Sequence, residues 1–434
     1  MSHLVSSTQV PCEASPSRIV VGIDPGLDKH GVVALNAASC ARLDRRMVDN
    51  TIAGMQELAR LLERWRAECG DALTIAIEDA ANYGEALATY LAQEGFRLVV
   101  VCPFKVARFR QAIGVDANDL NDAEAVARFV IVQPDLSRAP ASQAVQGDPH
   151  GSQHAHLRQL SRRHERWTKE RTAACNELHA ILRKAWLADY QRFFSEIHGA
   201  AALAVWQKYP TPAEAAEADP VEIAELIRQA GHGNVRKEAR ETKARDIHAT
   251  ARLMMIVLGK SDPNRWSAWA EDIRMLARHL VHLNGAIQQT DRRMAEILEA
   301  IGSPLMSFKG MGPVTAAAIH GETLSIERFA TASRFARYNG TAPREDSSGR
   351  NPRFVKNRRC NQRLRQTFMQ LALNAVKHQP ISKAYQQSLL ARGITGQAAR
   401  IRLARRLSDI VFALLRDRRP YDLEFYMIQK QKAA

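Results

Sequence analysis

Long apolar runs are missing from this chain. Nowhere do about 18 apolar residues follow one another, as a membrane-crossing helix needs, so no membrane partner is expected. Met1 to Ser17 has no apolar signal-peptide core and reads as a loose arm. Cysteine is sparse and unpatterned: Cys12, Cys40, Cys69, Cys102, Cys175 and Cys360 include no Cys-x-x-Cys pair. This spacing argues against zinc sites and disulfides and fits reduced thiols in the cytoplasm. Acidic residues run short in one place. Arg350 to Ala434 carries 19 Lys+Arg against 4 Asp+Glu, whereas Met1 to Gly349 carries 42 of each, so the whole excess of +15 lies in the last fifth. Such asymmetry points to a polyanion, most simply nucleic acid; the bland alternative is a basic, soluble surface.

What is present fits two or three domains in 434 residues, 46% of them hydrophobic. From 18 to 133 strand and helix patterns alternate. Arg18 to Ile23, Gly31 to Asn36, Ala41 to Val48, Leu73 to Glu78 and Arg97 to Cys102 read as strands, the last ending at Pro103. Thr51 to Cys69, Glu85 to Glu94 and Asp122 to Val132 read as helices. Three strands followed by alternating helix and strand fit an α/β sheet of the ribonuclease-H kind. Residues 134–154, with Pro140, Gly147, Pro149 and Gly151, read as a linker. Residues 155–300 hold two series with 3 and 4 spacing. One is Leu157, Leu160, His164, Trp167, Arg171, Ala174, Leu178, Ile181 and Ala185; the other is Ile273, Leu276, Leu280, Leu283, Ile287, Thr290, Met294 and Ile297. They suggest an antiparallel helical hairpin or coiled coil, with a helical insertion between. Residues 301–434 read as a mainly α, basic domain. Gly310 and Gly312 in Phe308-Lys-Gly-Met-Gly-Pro-Val-Thr315 suggest a helix-hairpin-helix whose N–H groups meet a DNA phosphate. In the helix expected from Ala398 to Arg419, Leu403, Leu407, Ile410, Val411 and Leu414 form an inward face beside arginines for nucleic-acid backbone.

Four acids carry the chemistry. Asp24 and Glu78 end apolar strands, and Asp119 and Asp122 are spaced i, i+3 at a helix start. A carboxylate beside a buried strand is costly unless paired or metal-bound, and four that converge suggest a magnesium site, with manganese as substitute, for phosphodiester chemistry. Each has a plain reading too: Asp24 as a turn former before Pro25-Gly26, Glu78 as a solvent-facing strand end, Asp119 as a helix cap. A second candidate is the serine pair Ser347 and Ser348, in a polar loop bounded by Arg344 and Arg350 and followed by Arg353, Lys356, Arg358, Arg359, Arg363 and Arg365. A hydroxyl among cations suits attack on phosphorus; the plain reading is a flexible loop.

In order, Gly22-Ile-Asp24, Ile77-Glu78, Asn118-Asp-x-x-Asp-Ala123, Gly310-Met-Gly-Pro313, Phe335-Ala-Arg-Tyr-Asn-Gly-Thr-Ala-Pro-Arg344, Ser347-Ser-Gly349 and Asn361-Gln-Arg-Leu-Arg365 resemble the DEDD transposases of the IS-one-ten insertion sequences, relatives of the pilin-gene invertase. The resemblance implies a RuvC-like N-terminal domain, a coiled coil and a C-terminal transposase domain. It further implies a serine nucleophile at Ser348, with Ser347 the neighbouring alternative, and a phosphoserine link to DNA. Donor and target DNA, an element-encoded guide RNA and a dimer or tetramer would be its partners, on the bacterial nucleoid. Three stretches depart from the family: Ala117-Asn118-Asp119 for Lys-Thr-Asp, Asp79-Ala80-Ala81 for Ala-Thr-Gly, and Asp24-Pro25-Gly26, which is nearer to RuvC-type junction resolvases. A hydrolytic junction resolvase and a non-catalytic nucleic-acid-binding protein are the rival readings.

Overall fold

The computed structural model describes residues 18–78, 83–101, 103–133, 151–231, 236–258, 263–345, 354–355 and 360–422. They fall into two compact units, one of the residues up to Ala155 with Thr323–Arg334, the other of His156–Glu322 with the residues from Phe335 on.

The first unit is built on five strands, β1 (Ile19–Pro25), β2 (Lys29–Asn36), β3 (Arg42–Asp49), β4 (Thr74–Glu78) and β5 (Leu98–Val101), in the order β3-β2-β1-β4-β5. β1 runs antiparallel to β2 and parallel to β4, which is parallel to β5. This mixed sheet, with an antiparallel hairpin feeding parallel strands, is the ribonuclease-H arrangement of RuvC-like domains. Side-chain alternation divides the core in two. Ile19, Val21, Ile23, Ile75 and Ile77 face α1 (Ile52–Cys69) and α2 (Glu85–Gln93), meeting Leu58, Leu62, Trp65, Leu87 and Leu91. Val20, Val33, Leu35, Ala76 and Val99 face α4 (Asp119–Val132), meeting Val126, Phe129 and Val130.

One helix departs from the sequence reading. Pro103, expected to close a strand, opens α3 (Pro103–Ala112). The ring fixes φ near the helical value, and the missing N–H costs nothing in a first turn.

The second unit is helical. Its long helices α5 (Gly151–Trp186) and α10 (Pro263–Ala300) run antiparallel: His164 meets Asp291 at 3.1 Å, Arg171 meets Asn284 at 3.3 Å, and Glu170 meets His279 at 3.2 Å. All eight residues of the second spaced series are buried; in the first, Leu157, Leu160, Ala174, Leu178 and Ala185 are buried, while His164, Trp167, Arg171 and Ile181 are half-buried. Between these helices lie α6 (Ala200–Lys208), α7 (Pro212–Glu217), α8 (Pro220–Ala230) and α9 (Lys237–Leu258). They close on Trp186, Phe193, Trp206, Ile223 and Ile247, with Trp186 Nε1 donating to the Pro210 carbonyl at 2.7 Å. The insertion therefore shares one core with the adjoining stretches of α5 and α10.

The C-terminal part holds α11 (Pro313–Thr323), α12 (Ala332–Tyr338), the short strands β6 (Arg344–Glu345) and β7 (Phe354–Val355), α13 (Gln362–His378), α14 (Pro380–Ala391) and α15 (Gly396–Asp417). α15 begins two residues before the expected Ala398, capped by Thr395, and ends before Arg419, because Arg418 turns left-handed at φ 51°. Its five expected inward residues are all buried. Before the Gly310–Gly312 turn stands a four-residue 3-10 turn, Pro304–Ser307, rather than a full helix.

Candidate active site

Strand alternation aims the first two acids. Asp24 follows Val20 and Gly22 on the α4 side of β1, and Glu78 follows Ala76 on the same side of β4. The register Ile23↔Ile77 sets them side by side one residue on. Two glycines let α4 reach them. A Cβ on Gly22 would lie 2.1 Å from the Ala123 carbonyl oxygen, and one on Gly31 would lie 2.3 Å from that of Asp119. The helix thus lies directly on the backbones of β1 and β2, its first turn level with Asp24. Gly22→Ala is expected to lower stability by about 1–3 kcal/mol through overpacking and to reduce cleavage by displacing α4. In α10, Gly285 has open space around it, so Gly285→Ala should leave stability unchanged or raise it by up to about 1 kcal/mol. Parallel urea melts of the two variants check both expectations.

The capping alternative for Asp119 is corrected here. Asn118 is the cap, its side chain accepting from the Asn121 N–H at 2.8 Å, and Asp119 is the first helical residue, exposed. Asp119 and Asp122 lie in the first turn, where the helix dipole favours negative charge. The carboxylates sense one another. Asp24 is pushed up from its ordinary 3.8 to about 6, first by burial, then by the charges of Asp122 and Asp119, against the pull of Arg110. Asp122 is also raised, by burial first, with Arg110 opposing and Asp119 adding.

Arg110, on α3, is the residue that sequence reasoning missed. Its Nε stands 2.8 Å from Asp122 Oδ1. Among the described residues no three His, Cys, Asp or Glu side chains stand together as a finished metal shell. The donors are nonetheless hard carboxylate oxygens with mutual repulsion to relieve, which is the chemistry that Mg²⁺ satisfies. By charge and donor type the set suits a divalent ion, and the Arg110 charge offsets part of the repulsion.

The second candidate is described at its margins. Ser347, Ser348, Arg350, Arg353, Lys356, Arg358 and Arg359 lie outside the described residues, and of Arg344 the backbone pairs with Val355. The ends of the segment that carries them are fastened. Asn361 N–H donates to the Tyr338 carbonyl at 2.7 Å, and Asn361 also caps α13 by accepting from Leu364. Buried Asn339 donates to Ser408 Oγ at 2.8 Å and accepts from the Thr341 hydroxyl at 2.7 Å. Below them sits Glu322, a second residue missed in the sequence. It accepts from Arg162 at 2.7 and 3.2 Å and from Asn361 Nδ2 at 2.8 Å, with Arg158 at 3.9 Å. These partners hold its carboxyl below the usual range, against burial, which acts the other way and is the largest single influence. Of the expected basic contacts, Arg363 is paired with Glu165 and Arg365 is half-buried beside Gly340. Gly310 adopts φ +97° and packs on the Asn374 carbonyl, while Gly312 has open space around it.

Comparison with known proteins decides the family. The signature of the IS110 DEDD transposases matches residues 21–187, and that of the transposase IS116/IS110/IS902 family matches residues 302–387. The chain belongs to the IS110/IS116/IS902 family of transposases. It is 25% identical to a 44.8 kDa protein of insertion element IS116 from Streptomyces clavuligerus over 93% of this chain and 96% of that protein. To a 42 kDa protein of IS900 from Mycobacterium paratuberculosis it is 26% identical, over 92% and 96%. RuvC structures from Thermus thermophilus, one in complex with a Holliday junction substrate, align at 18% identity and TM-score 0.21, covering 28% of this chain and 92% of theirs.

The two signatures divide the transposase usefully. The first spans all four acids, Arg110 and α5; the second spans the Gly310 turn, the serine pair and Asn361; α6 to α9 lie outside both. As an IS110-family transposase with a RuvC-like sheet, the protein is a DNA-cleaving enzyme that acts on DNA. Proteins with this fold and a DEDD set generally use divalent ions. Among the described residues no helix is long and apolar enough to cross a membrane.

Proposed function

We propose that this transposase cleaves and rejoins DNA strands through a covalent phosphoserine intermediate, with Asp24, Glu78, Asp119 and Asp122 holding one or two Mg²⁺ ions and Ser348 as nucleophile. The observation that carries the reading is that Asp119 and Asp122 come near enough for their charges to add to burial in raising the Asp24 carboxyl to about 6. A bound Mg²⁺, or Mn²⁺ in its place, supplies polarisation of the scissile phosphate and neutralisation of the leaving oxygen. The four carboxylates hold and orient that charge. Ser348 Oγ forms a bond to phosphorus as the bond from phosphorus to the leaving deoxyribose oxygen breaks, and the serine proton ends on that oxygen. Attack by a deoxyribose hydroxyl on the phosphoserine reverses the exchange and rejoins a strand without ATP.

In this reading 18–133 is a RuvC-like metal domain, the expected linker at 134–154 gives way at Gly151 to α5, and the helical region at 155–300 and the basic transposase domain at 301–434 lie largely in one compact unit. The acids and the serine belong to different domains, so the working site is composite and forms on DNA. The antiparallel α5 and α10 serve as a coiled coil that joins copies into a dimer or tetramer. The Gly310–Gly312 turn, entered from a 3-10 turn and followed by α11, stands in for the expected helix-hairpin-helix, and with Arg344, Arg350, Arg353, Lys356, Arg358, Arg359, Arg363 and Arg365 it binds nucleic-acid backbone. An element-encoded guide RNA pairs with donor and target DNA, in the cytoplasm on the nucleoid; family membership supports this part.

The test is a denaturation-resistant protein–DNA adduct, mapped by mass spectrometry. Ser348→Ala should abolish the adduct and strand exchange, and Ser347→Ala should leave them measurable. Loss with Ser347→Ala alone moves the role to Ser347. Full cleavage by the double variant replaces the covalent scheme with metal-assisted hydrolysis, as the resolvase-like Asp24-Pro25-Gly26 would allow. RNA that copurifies with the protein and maps beside the gene supports the guide; element DNA recombined by RNA-free protein overturns it.

A further inference from the structure

Arg110 is aligned less well than the best ion pairs of this protein, a trait it shares with Arg158 beside Glu322. Arg162 meets Glu322 through two aligned hydrogen bonds, and Arg42 meets Glu124 through one at 2.8 Å. Arg110 Nε also comes within 2.8 Å of a carboxylate oxygen, that of Asp122. Yet its Nε and Nη1 are both shut off from solvent and neither makes a hydrogen bond. The side chain is 13% exposed. A buried guanidinium normally satisfies its N–H groups, because leaving them unmade costs free energy. Here charge contact is present and N–H alignment is not.

The neighbourhood explains the mismatch. The guanidinium charge acts on both Asp24 and Asp122, holding their carboxyls down against burial and mutual repulsion. Arg110 is thus a positive charge placed where the carboxylates need one. A divalent ion bound by Asp122 would bring two more positive charges to the same edge, and the two cations repel at this range. The arginine must then yield Asp122, and its unused N–H groups need an acceptor. An oxygen of a phosphodiester matches a guanidinium in charge and geometry.

We propose that Arg110 is the resident counter-cation of the acidic cluster, holding Asp122 until a divalent ion enters and then turning its buried N–H groups to an oxygen of the DNA phosphate. The proposal rests on reading the cluster as a metal centre. It gives Arg110 opposite effects on ion binding and on cleavage, which a merely structural arginine does not have.

The experiment is Mg²⁺ titration calorimetry on the full-length protein, paired with strand cleavage of plasmid DNA carrying the element ends. Arg110→Ala, and Arg110→Gln as the variant that keeps side-chain length, should bind Mg²⁺ about tenfold more tightly, as expected on removing a unit charge a few ångströms from a divalent ion. The same variants should cleave about 100-fold more slowly, the loss typical of one donor to a reacting phosphate or oxyanion. Arg110→Lys should restore weaker Mg²⁺ binding and part of the cleavage. Unchanged or weaker Mg²⁺ binding in both charge-removing variants overturns the counter-cation role. Tighter binding with cleavage at the wild-type rate overturns the phosphate contact. Asp24→Asn/Asp122→Asn is the control for the underlying reading: if it binds Mg²⁺ like wild type, the metal centre itself is wrong. If it loses the ion while Arg110→Ala matches wild type, the failure belongs to Arg110 alone.

Discussion

Asp24→Asn should give a protein that is harder to unfold and almost unable to cut DNA. Asp24 has a folded-state pKa raised from 3.8 to about 6, so its charged form is disfavoured in the native state. The cost is absent below the unfolded value, grows as pH rises from about 4 to 6, and is fully present at pH 7. At about 1.4 kcal/mol per pKa unit, discounted for partial solvation, it amounts to about 2 kcal/mol. Asparagine cannot ionise and escapes it. In chelator at pH 7 the variant should melt above wild type, and the difference should shrink towards pH 4. Added Mg²⁺ should raise the wild-type melting temperature and leave the variant unmoved. Cleavage should fall by more than about 100-fold, since even outer partners of metal ligands cost 10–100-fold. A variant less stable than wild type in chelator, or one that cleaves at the wild-type rate, would sink the idea that this carboxylate is kept strained for an ion.

How much of this centre was legible in the sequence depends on whether the signal is local. Asp24 and Glu78 announce themselves because each ends an apolar strand, and alternation within each strand fixes the face it takes. Asp119 and Asp122 share a face by their spacing alone; assigning the cap to Asn118 needed the backbone. Arg110 was out of reach. Its helix lacks a clear apolar stripe, its opening proline reads equally as a strand terminator, and an arginine among Lys105 and Arg108 reads as surface. Glu322 was hidden for another reason: its arginine partners stand about 160 residues earlier, and one acid in an alanine-rich helix gives no hint of burial.

Charge counting shows the same limit. The excess of +15 in the last fifth is real, but folding spends part of it locally. Arg405 pairs with Asp409, Arg416 pairs with Asp417, and Arg406 lies 4.8 Å over the Tyr385 ring. Arg402, Arg418 and Arg419 are exposed. A segment's net charge names the kind of partner, whereas the residues that touch it depend on which side chains the fold has already engaged.

Glu322→Ala should strongly destabilise the second unit. The Glu322 side chain is 2% exposed, and removing it leaves Arg158, Arg162 and Asn361 without their shared acceptor. Breaking a buried ion pair from one side costs about 3–5 kcal/mol, and the half-exposed arginine places this case near the lower figure. Because the folded pKa of Glu322 is depressed below 4.5, its contribution is present above that value and is lost as pH falls through the folded pKa. Wild type should therefore weaken in acid, and Glu322→Ala should lose less over the same interval. Five of the six tryptophans, Trp167, Trp186, Trp206, Trp266 and Trp269, lie in this unit, so urea unfolding followed by tryptophan fluorescence reads it directly. Glu322→Ala/Arg162→Met, which removes both charges of the aligned pair, should recover part of the loss. A Glu322→Ala midpoint equal to wild type at pH 7 would mean that the carboxylate is a spectator. The expected loss instead makes it the anchor through which α5 holds Asn361, one end of the segment that carries the serine pair.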